Sequence, residues 1–193
     1  MEILNTKKTI TLGSKSPRRT ELMKLMGFPF KVKKLEVNED YPKSLSPSKV
    51  AVYLSEKKAN NYSVKKNEIL ICADTIVYNN NMILGKPKSN NEAEIMLSHL
   101  SNQQHFVVTG VTFKLINKSV SIYDKSSVYF KKLSTKEIRY YIENFNPLDK
   151  AGGYGIQDWI GLIAIKKISG SFYNVMGLPT HKVYEQLIKL LNE

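Results

Sequence analysis

The chain carries a single cysteine, Cys72, so it can form no internal disulfide, and that usage suits a reducing compartment. Histidine is also scarce. His99, His105 and His181 show no metal-ligand spacing, so any metal would be a hard ion held by carboxylates and phosphate oxygens. Among 29 basic residues only Arg18, Arg19 and Arg139 are arginine. The longest apolar stretch, Trp159 to Ile165, falls far short of the ~20 residues that span a bilayer, which excludes a membrane helix as an expectation. The amino-terminal MEILNTKKTITLG has no apolar run behind basic residues, so a cytoplasmic location is expected. Neither a P-loop nor a Rossmann glycine fingerprint occurs, which removes the commonest phosphate-binding routes.

What is present describes a soluble globule. At 193 residues, 42% hydrophobic and 24% charged, the chain can build a core without staples and is expected to form one domain, 1–193. Its net charge of +12 raises nucleic acid as a partner. The lysines, however, are spread along the chain among asparagine runs rather than grouped, so no stable nucleic-acid partner is expected.

Elements alternate in type, as in an α/β fold. Thr9 to Leu12 reads as a strand leading to a helix that starts at Ser16-Pro17, carries an apolar stripe of Leu22, Leu25 and Met26, and stops at Gly27. Phe30, Val32, Leu35 and Val37 read as a second strand, and Ser46-Pro47 opens a second helix. Glu68 to Ala73 has the pattern of a strand buried on both faces and ending at Asp74-Thr75. Ile76 to Tyr78 and Met82 to Leu84 then form a hairpin around asparagines. A helix over Asn90 to Leu100 and two long strands follow. Ser134 and Glu137 have capping-box spacing ahead of Ile138, Tyr141, Ile142 and Phe145, which defines another helix. A glycine-rich turn, a buried strand around Leu162 to Ile168 and a last helix with Val183, Leu187, Ile188 and Leu191 on one side complete the chain.

The chemistry concentrates at segment ends. In Leu12-Gly13-Ser14-Lys15-Ser16-Pro17-Arg18-Arg19, Ser16 suits the N-cap and Pro17 the first helical position. Free backbone N–H groups, the positive dipole end and two forked guanidinium groups together make a polyanion cradle; a capped helix with solvated arginines is the competing account. Asp74 follows an apolar strand, where open α/β sheets place ligands, and a turn-capping carboxylate is the alternative. Cys72, two residues earlier on the same face, has no histidine close in sequence and reads as a small buried hydrophobe. Lys58 and Lys86 can complete a phosphate clamp or remain surface charges. The glycines of Asp149-Lys150-Ala151-Gly152-Gly153-Tyr154-Gly155-Ile156-Gln157 permit close approach to a ligand, and Gln157 can present a paired donor and acceptor to a base edge.

The strings LGSKSPRRTELMKLMGFPFKV, ICADTIVYNNNMILGKP, AEIMLSHLSNQQHFVVTGV, YIENFNPLDKAGGYGIQ and GSFYNVMGLPTHKVYEQL, in this order over nearly the whole chain, resemble the Maf family of nucleoside triphosphate pyrophosphatases, known as septum formation and housecleaning proteins. The resemblance implies an ITPase-like fold, a long twisted mixed sheet flanked by helices with a deep substrate cleft. It implies hydrolysis of a nucleoside triphosphate to the monophosphate and pyrophosphate with Mg²⁺ or Mn²⁺. By motif, Asp74 would be catalytic, with Glu39 helping it hold metal. Arg18, Thr75 and Gln157 fall on positions of substrate choice, Arg19, Lys58 and Lys86 on phosphate contacts, and Ser14 among the substrate-binding positions. The DKAGxYGIQ form is similar to the branch acting on dTTP and UTP, and a homodimer is consistent with the family. Three positions depart from the pattern. Asn146 replaces Glu, Gly153 replaces Ala, and Asp158 stands where Gly is typical, which adds charge beside Gln157 and weakens the base assignment. Two further readings compete with this one: a non-enzymatic basic protein acting on nucleic acid or in division, and a nucleotide diphosphatase releasing single phosphate.

Overall fold

The computed structural model describes residues 8–80 and 82–193. In chain order the elements are β1 (Thr9–Gly13), α1 (Pro17–Leu25), β2 (Phe30–Lys33), α2 (Pro47–Asn60), β3 (Glu68–Asn79), β4 (Met82–Leu84), α3 (Asn90–Leu100), β5 (Gln104–Lys114), β6 (Ser119–Phe130), α4 (Thr135–Phe145), α5 (Trp159–Ala164), β7 (Ile165–Ser169), α6 (Phe172–Met176) and α7 (Thr180–Asn192). Short 3-10 turns lie at Pro147–Asp149 and Ala151–Gly153. The strands follow the order β2-β1-β3-β5-β6-β7, with β4 paired to β3. β1 runs parallel to β2 and β3, whereas β3 with β4 and β6 with β7 are antiparallel. This is a mixed seven-stranded sheet with helices, as an α/β reading requires.

The chain divides into two compact units, and β3, β5 and β6 each contribute residues to both. The first comprises the described residues 8–74 with Thr109–Asp124 and Gly177–Glu193. Its core holds Ile10 and Leu12 of β1, Leu22 and Met23 of α1, Val50, Ala51 and Leu54 of α2, and Val183, Leu187 and Leu190 of α7. Helix α2 lies so near β5 that a Cβ at Gly110 would stand 2.4 Å from the Ala51 carbonyl oxygen. Hydroxyls tie α2 to β5 and β5 to β6: the buried Ser55 and Thr112 oxygens are 2.7 Å apart, and the oxygens of Thr112 and half-buried Ser121 3.0 Å. The outer strand β2 leaves Lys31, Val32 and Lys33 exposed.

The second unit comprises Thr75–Val108 and Lys125–Met176. Its core gathers Val77, Leu97, Leu100, Val107, Phe130, Ile138, Tyr141, Tyr154 and Ile160. Helix α4 starts at the capping box read from the sequence: the Ser134 side chain accepts from the Glu137 amide, and the Glu137 carboxylate accepts from the Ser134 amide at 2.7 Å. Strand β7 at the opposite end of the strand order exposes Lys166 and Lys167.

Four sequence expectations change. Strand β3 does not end at Asp74-Thr75 but continues to Asn79, because Val77 to Asn79 pair with β4 and keep the ladder going. Asp74 is therefore a buried mid-strand carboxylate and caps no turn. The strand expected from Leu162 to Ile168 is instead helix α5 followed by the short β7. Short apolar runs are ambiguous in period, and here burial of Ile160 and Ala164, with Leu162 81% exposed, follows the helical one. Leu25 lies outside the buried stripe of α1, which is Leu22 with Met23. Finally, β2 closes at Lys33, and Leu35 turns inward to pack against Ala59, Leu70 and Cys72.

Candidate active site

The first unit assembles a charged cluster around β3. Cys72 and Asp74 alternate onto the sheet face that Ala59 of α2 covers, and Lys58, one residue before Ala59, reaches Asp74 from the last turn of that helix. The Lys58 ammonium donates to Asp74 Oδ1 and, at 3.0 Å, to Glu39 Oε1. The Lys58 and Asp74 side chains are only 12% and 10% exposed, so the pair is shielded from solvent, whereas Glu39 is open to it. Unpaired, a carboxylate this deep would be costly, and Lys58 offsets part of that cost.

Arginine arrives from the strand-to-helix turn. Ser16 caps α1, accepting from the Arg19 amide, and the Ser14 hydroxyl, itself buried, accepts from the Ser16 amide at 3.1 Å. This places Arg19 in the first turn of α1, where its Nε donates to the Gly177 carbonyl and its Nη1 to the Ala73 carbonyl, both at 2.8 Å. The half-buried guanidinium is thus fixed on the residue preceding Asp74. Burial pushes it below its ordinary pKa, the Asp74 carboxylate opposes that shift, and neighbouring Arg18 adds to it. Burial likewise pushes the Cys72 thiol up to about 12, despite Lys58 and Arg19 nearby. Cys72 is therefore the inert small hydrophobe expected. Gly13 is required beside it, since a Cβ there would stand 2.6 Å from Cys72 Sγ.

Of the residues singled out from sequence, Ser14, Arg18, Arg19, Glu39, Lys58 and Asp74 belong to this unit, and direct contacts join Lys58 with Asp74 and Glu39. Thr75, Lys86 and Gln157 belong to the second unit. There the glycine turn is drawn in by its own protein. The Gly152 amide, at φ 71°, donates to the Gly85 carbonyl at 2.9 Å, and a Cβ at Gly152 would meet Val77 at 3.0 Å. Lys86 follows Gly85 and is exposed, as is Gln157. Asp158, a position noted only for its departure from the family pattern, accepts from the Tyr141 hydroxyl at 2.7 Å and lies 3.5 Å from the Lys150 ammonium. The charge it adds is therefore matched within the protein.

Two oxygen-donor carboxylates around one cation suit a hard divalent ion, which typically takes one or two carboxylates and completes its shell with water and phosphate. Among the described residues no group of three His, Cys, Asp or Glu gathers. Among the described residues no helix is long and apolar enough to cross a membrane.

The chain is similar to several known proteins. A protein of Flavobacterium psychrophilum named dTTP/UTP pyrophosphatase is 48% identical over 186 residues, 95% of this chain and 94% of that one. One of the same name from Bacteroides thetaiotaomicron is 46% identical over 184 residues, 94% of this chain and 95% of its own length. Among solved structures, the Staphylococcus aureus Ham1 protein aligns over 96% of this chain and 98% of its own, with a TM-score of 0.46 and 14% identity. The family model described as Maf-like protein matches residues 9–190, and the chain belongs to the Maf family.

Proposed function

We propose that this chain is a nucleoside triphosphate pyrophosphatase that hydrolyses dTTP and UTP between the α and β phosphates, giving the monophosphate and pyrophosphate. The near-full-length relatives carry that name. The observation that carries the chemistry is the buried Asp74 carboxylate, gripped by Lys58 and flanked by Arg19 on the adjacent carbonyl. In this reading Asp74 orients the attacking water and accepts its proton, a role that suits a carboxylate fixed in a mid-strand position. Lys58 exchanges its carboxylate partners for phosphate oxygens as negative charge builds on departing pyrophosphate, and Arg18 and Arg19 hold the polyphosphate near the start of α1. Ser14 braces the turn that presents them through its bond from the Ser16 amide.

Asp74, with Glu39, would hold a magnesium or manganese ion. Such an ion supplies charge neutralisation on the phosphate oxygens and a more acidic water. Thr75 and Gln157 would select the base and Lys86 would contact phosphate, as the family resemblance implies. The reading takes the chain for a cytoplasmic housecleaning enzyme whose partner is the nucleotide.

The test is pyrophosphate release over a panel of nucleoside triphosphates with Mg²⁺ or Mn²⁺, products resolved by chromatography. Asp74→Asn is expected to lower kcat by about 10²–10⁴-fold, the usual contribution of a positioned base. Equal release by wild type and Asp74→Asn overturns the site. Single phosphate in place of pyrophosphate overturns the reaction, and salt-sensitive duplex binding without turnover favours the basic binding protein.

A further inference from the structure

We infer that Asp158, clamped by Tyr141 and Lys150, is a positioning residue that sets the carboxamide of Gln157 and so governs base selectivity. The inference rests on the proposed role of Gln157 in reading the base. The Tyr141 side chain is fully buried in the middle of α4, and its one hydroxyl serves two partners. It donates to Asp158 Oδ2 at 2.7 Å and accepts from the Gly155 amide at 3.0 Å, tying together both ends of the tight turn that contains Gln157. Lys150, itself buried, brings its ammonium within 3.5 Å of the same Asp158 oxygen. At the start of the segment the Tyr154 hydroxyl lies 2.7 Å from His105 Nε2. The turn is closed by a bond from the Asp158 amide to the Gly155 carbonyl at 3.1 Å.

The geometry at Gly155 links this clamp to Gln157. A Cβ built there would stand 2.6 Å from Asp158 Oδ2 and 3.0 Å from Gln157 Nε2, so the carboxylate and the carboxamide both fold over one glycine. With Tyr141 and Lys150 holding Asp158, the space left beside it fixes where the exposed Gln157 amide can sit. Freed from the clamp, Asp158 would become an uncompensated charge next to the amide, and Gln157 would lose its boundary. A base contact is made in ground state and transition state alike, so disturbing it raises KM more than it lowers kcat.

The experiment measures kcat and KM for dTTP, UTP, CTP and GTP in wild type, Tyr141→Phe, Asp158→Ala, Gly155→Ala, Gln157→Ala and the double variant Asp158→Ala/Gln157→Ala, with thermal unfolding of each. Tyr141→Phe, Asp158→Ala and Gly155→Ala are expected to raise KM for dTTP and UTP by about tenfold, the equivalent of one lost hydrogen bond. They should also narrow the margin over CTP and GTP. In the Gln157→Ala background, Asp158→Ala should narrow it no further, a result that general loosening of the fold would not give. Selectivity unchanged in Asp158→Ala while Gln157→Ala abolishes it overturns the clamp alone, as does a further loss in the double variant. Selectivity intact in Gln157→Ala overturns the base reading itself and the clamp with it.

Discussion

Replacing Gly110 with alanine tests whether the seat of α2 on β5 sets the reach of Lys58. The added methyl would stand 2.4 Å from Ala51 O, 2.5 Å from Ala51 C and 2.6 Å from Val52 N, all helix backbone that no rotamer change can move aside. Restoring ordinary contact near 3.4 Å requires the helix to withdraw by about 1 Å. Nothing else about the substitution costs energy, because Gly110 is not among the positive-φ glycines and alanine adopts its backbone freely. Overpacking of this kind destabilises by about 1–3 kcal/mol. At about 2–4 °C per kcal/mol for a chain of this size, Tm should fall by roughly 2–12 °C. Lys58 lies two turns further along the same helix, and a shift of that size at a charged contact can cost about 10²-fold in turnover. Scanning calorimetry and pyrophosphate release measure the two effects, with Gly85→Ala as control because nothing lies within 4 Å of a Cβ there. A Gly110→Ala protein with wild-type Tm and wild-type turnover would refute the argument.

Two further predictions concern buried titratable groups. Burial holds the Cys72 thiol up at about 12, so a disulfide reagent at pH 8 should leave it unmodified in the native protein and label it fully in denaturant; fast native labelling would contradict the packing at Gly13. Burial pushes His105 down to about 3 against an ordinary 6.5, so the unfolded chain binds the extra proton between those values. Stability contributed by the neutral ring is complete above pH 6.5 and is lost as pH falls toward 3. His105→Phe should flatten the dependence of unfolding free energy on pH between 4 and 6.5 in denaturant titrations; an unchanged slope would count against the assignment.

The sequence displayed the local rules well and the long-range ones poorly. The capping box of α4 and the Ser16-Pro17 start of α1 depend on neighbours within a turn and stand as read, whereas the run of β3 is a strand as expected but continues past Asp74 to Asn79. Asp74 looked like a strand end because a carboxylate suits a turn. What lets it sit mid-strand is an ammonium from position 58, sixteen residues away, which no local pattern announces. Lys58 for the same reason resembled a surface charge, although its side chain is 12% exposed. The apolar run after Asp158 fits either period. Gly161 packs so close to Ile156 that a Cβ would stand 1.9 Å from its carbonyl oxygen, a constraint visible only in three dimensions. The compensation of Asp158 by Tyr141 and Lys150 was hidden too, since it depends on contacts at separations of 17 and 8 residues.

The lysines left bare on β2 and β7 bear on how this molecule behaves when crowded. Outer strands present unsatisfied ladder groups to any neighbour, and natural sheets protect them with like charge. Lys31 with Lys33 on one rim and Lys166 with Lys167 on the other would set ammonium against ammonium wherever two molecules tried to extend a common ladder. Charge at these positions would hinder such pairing, and the hindrance should weaken as added salt shortens the screening length.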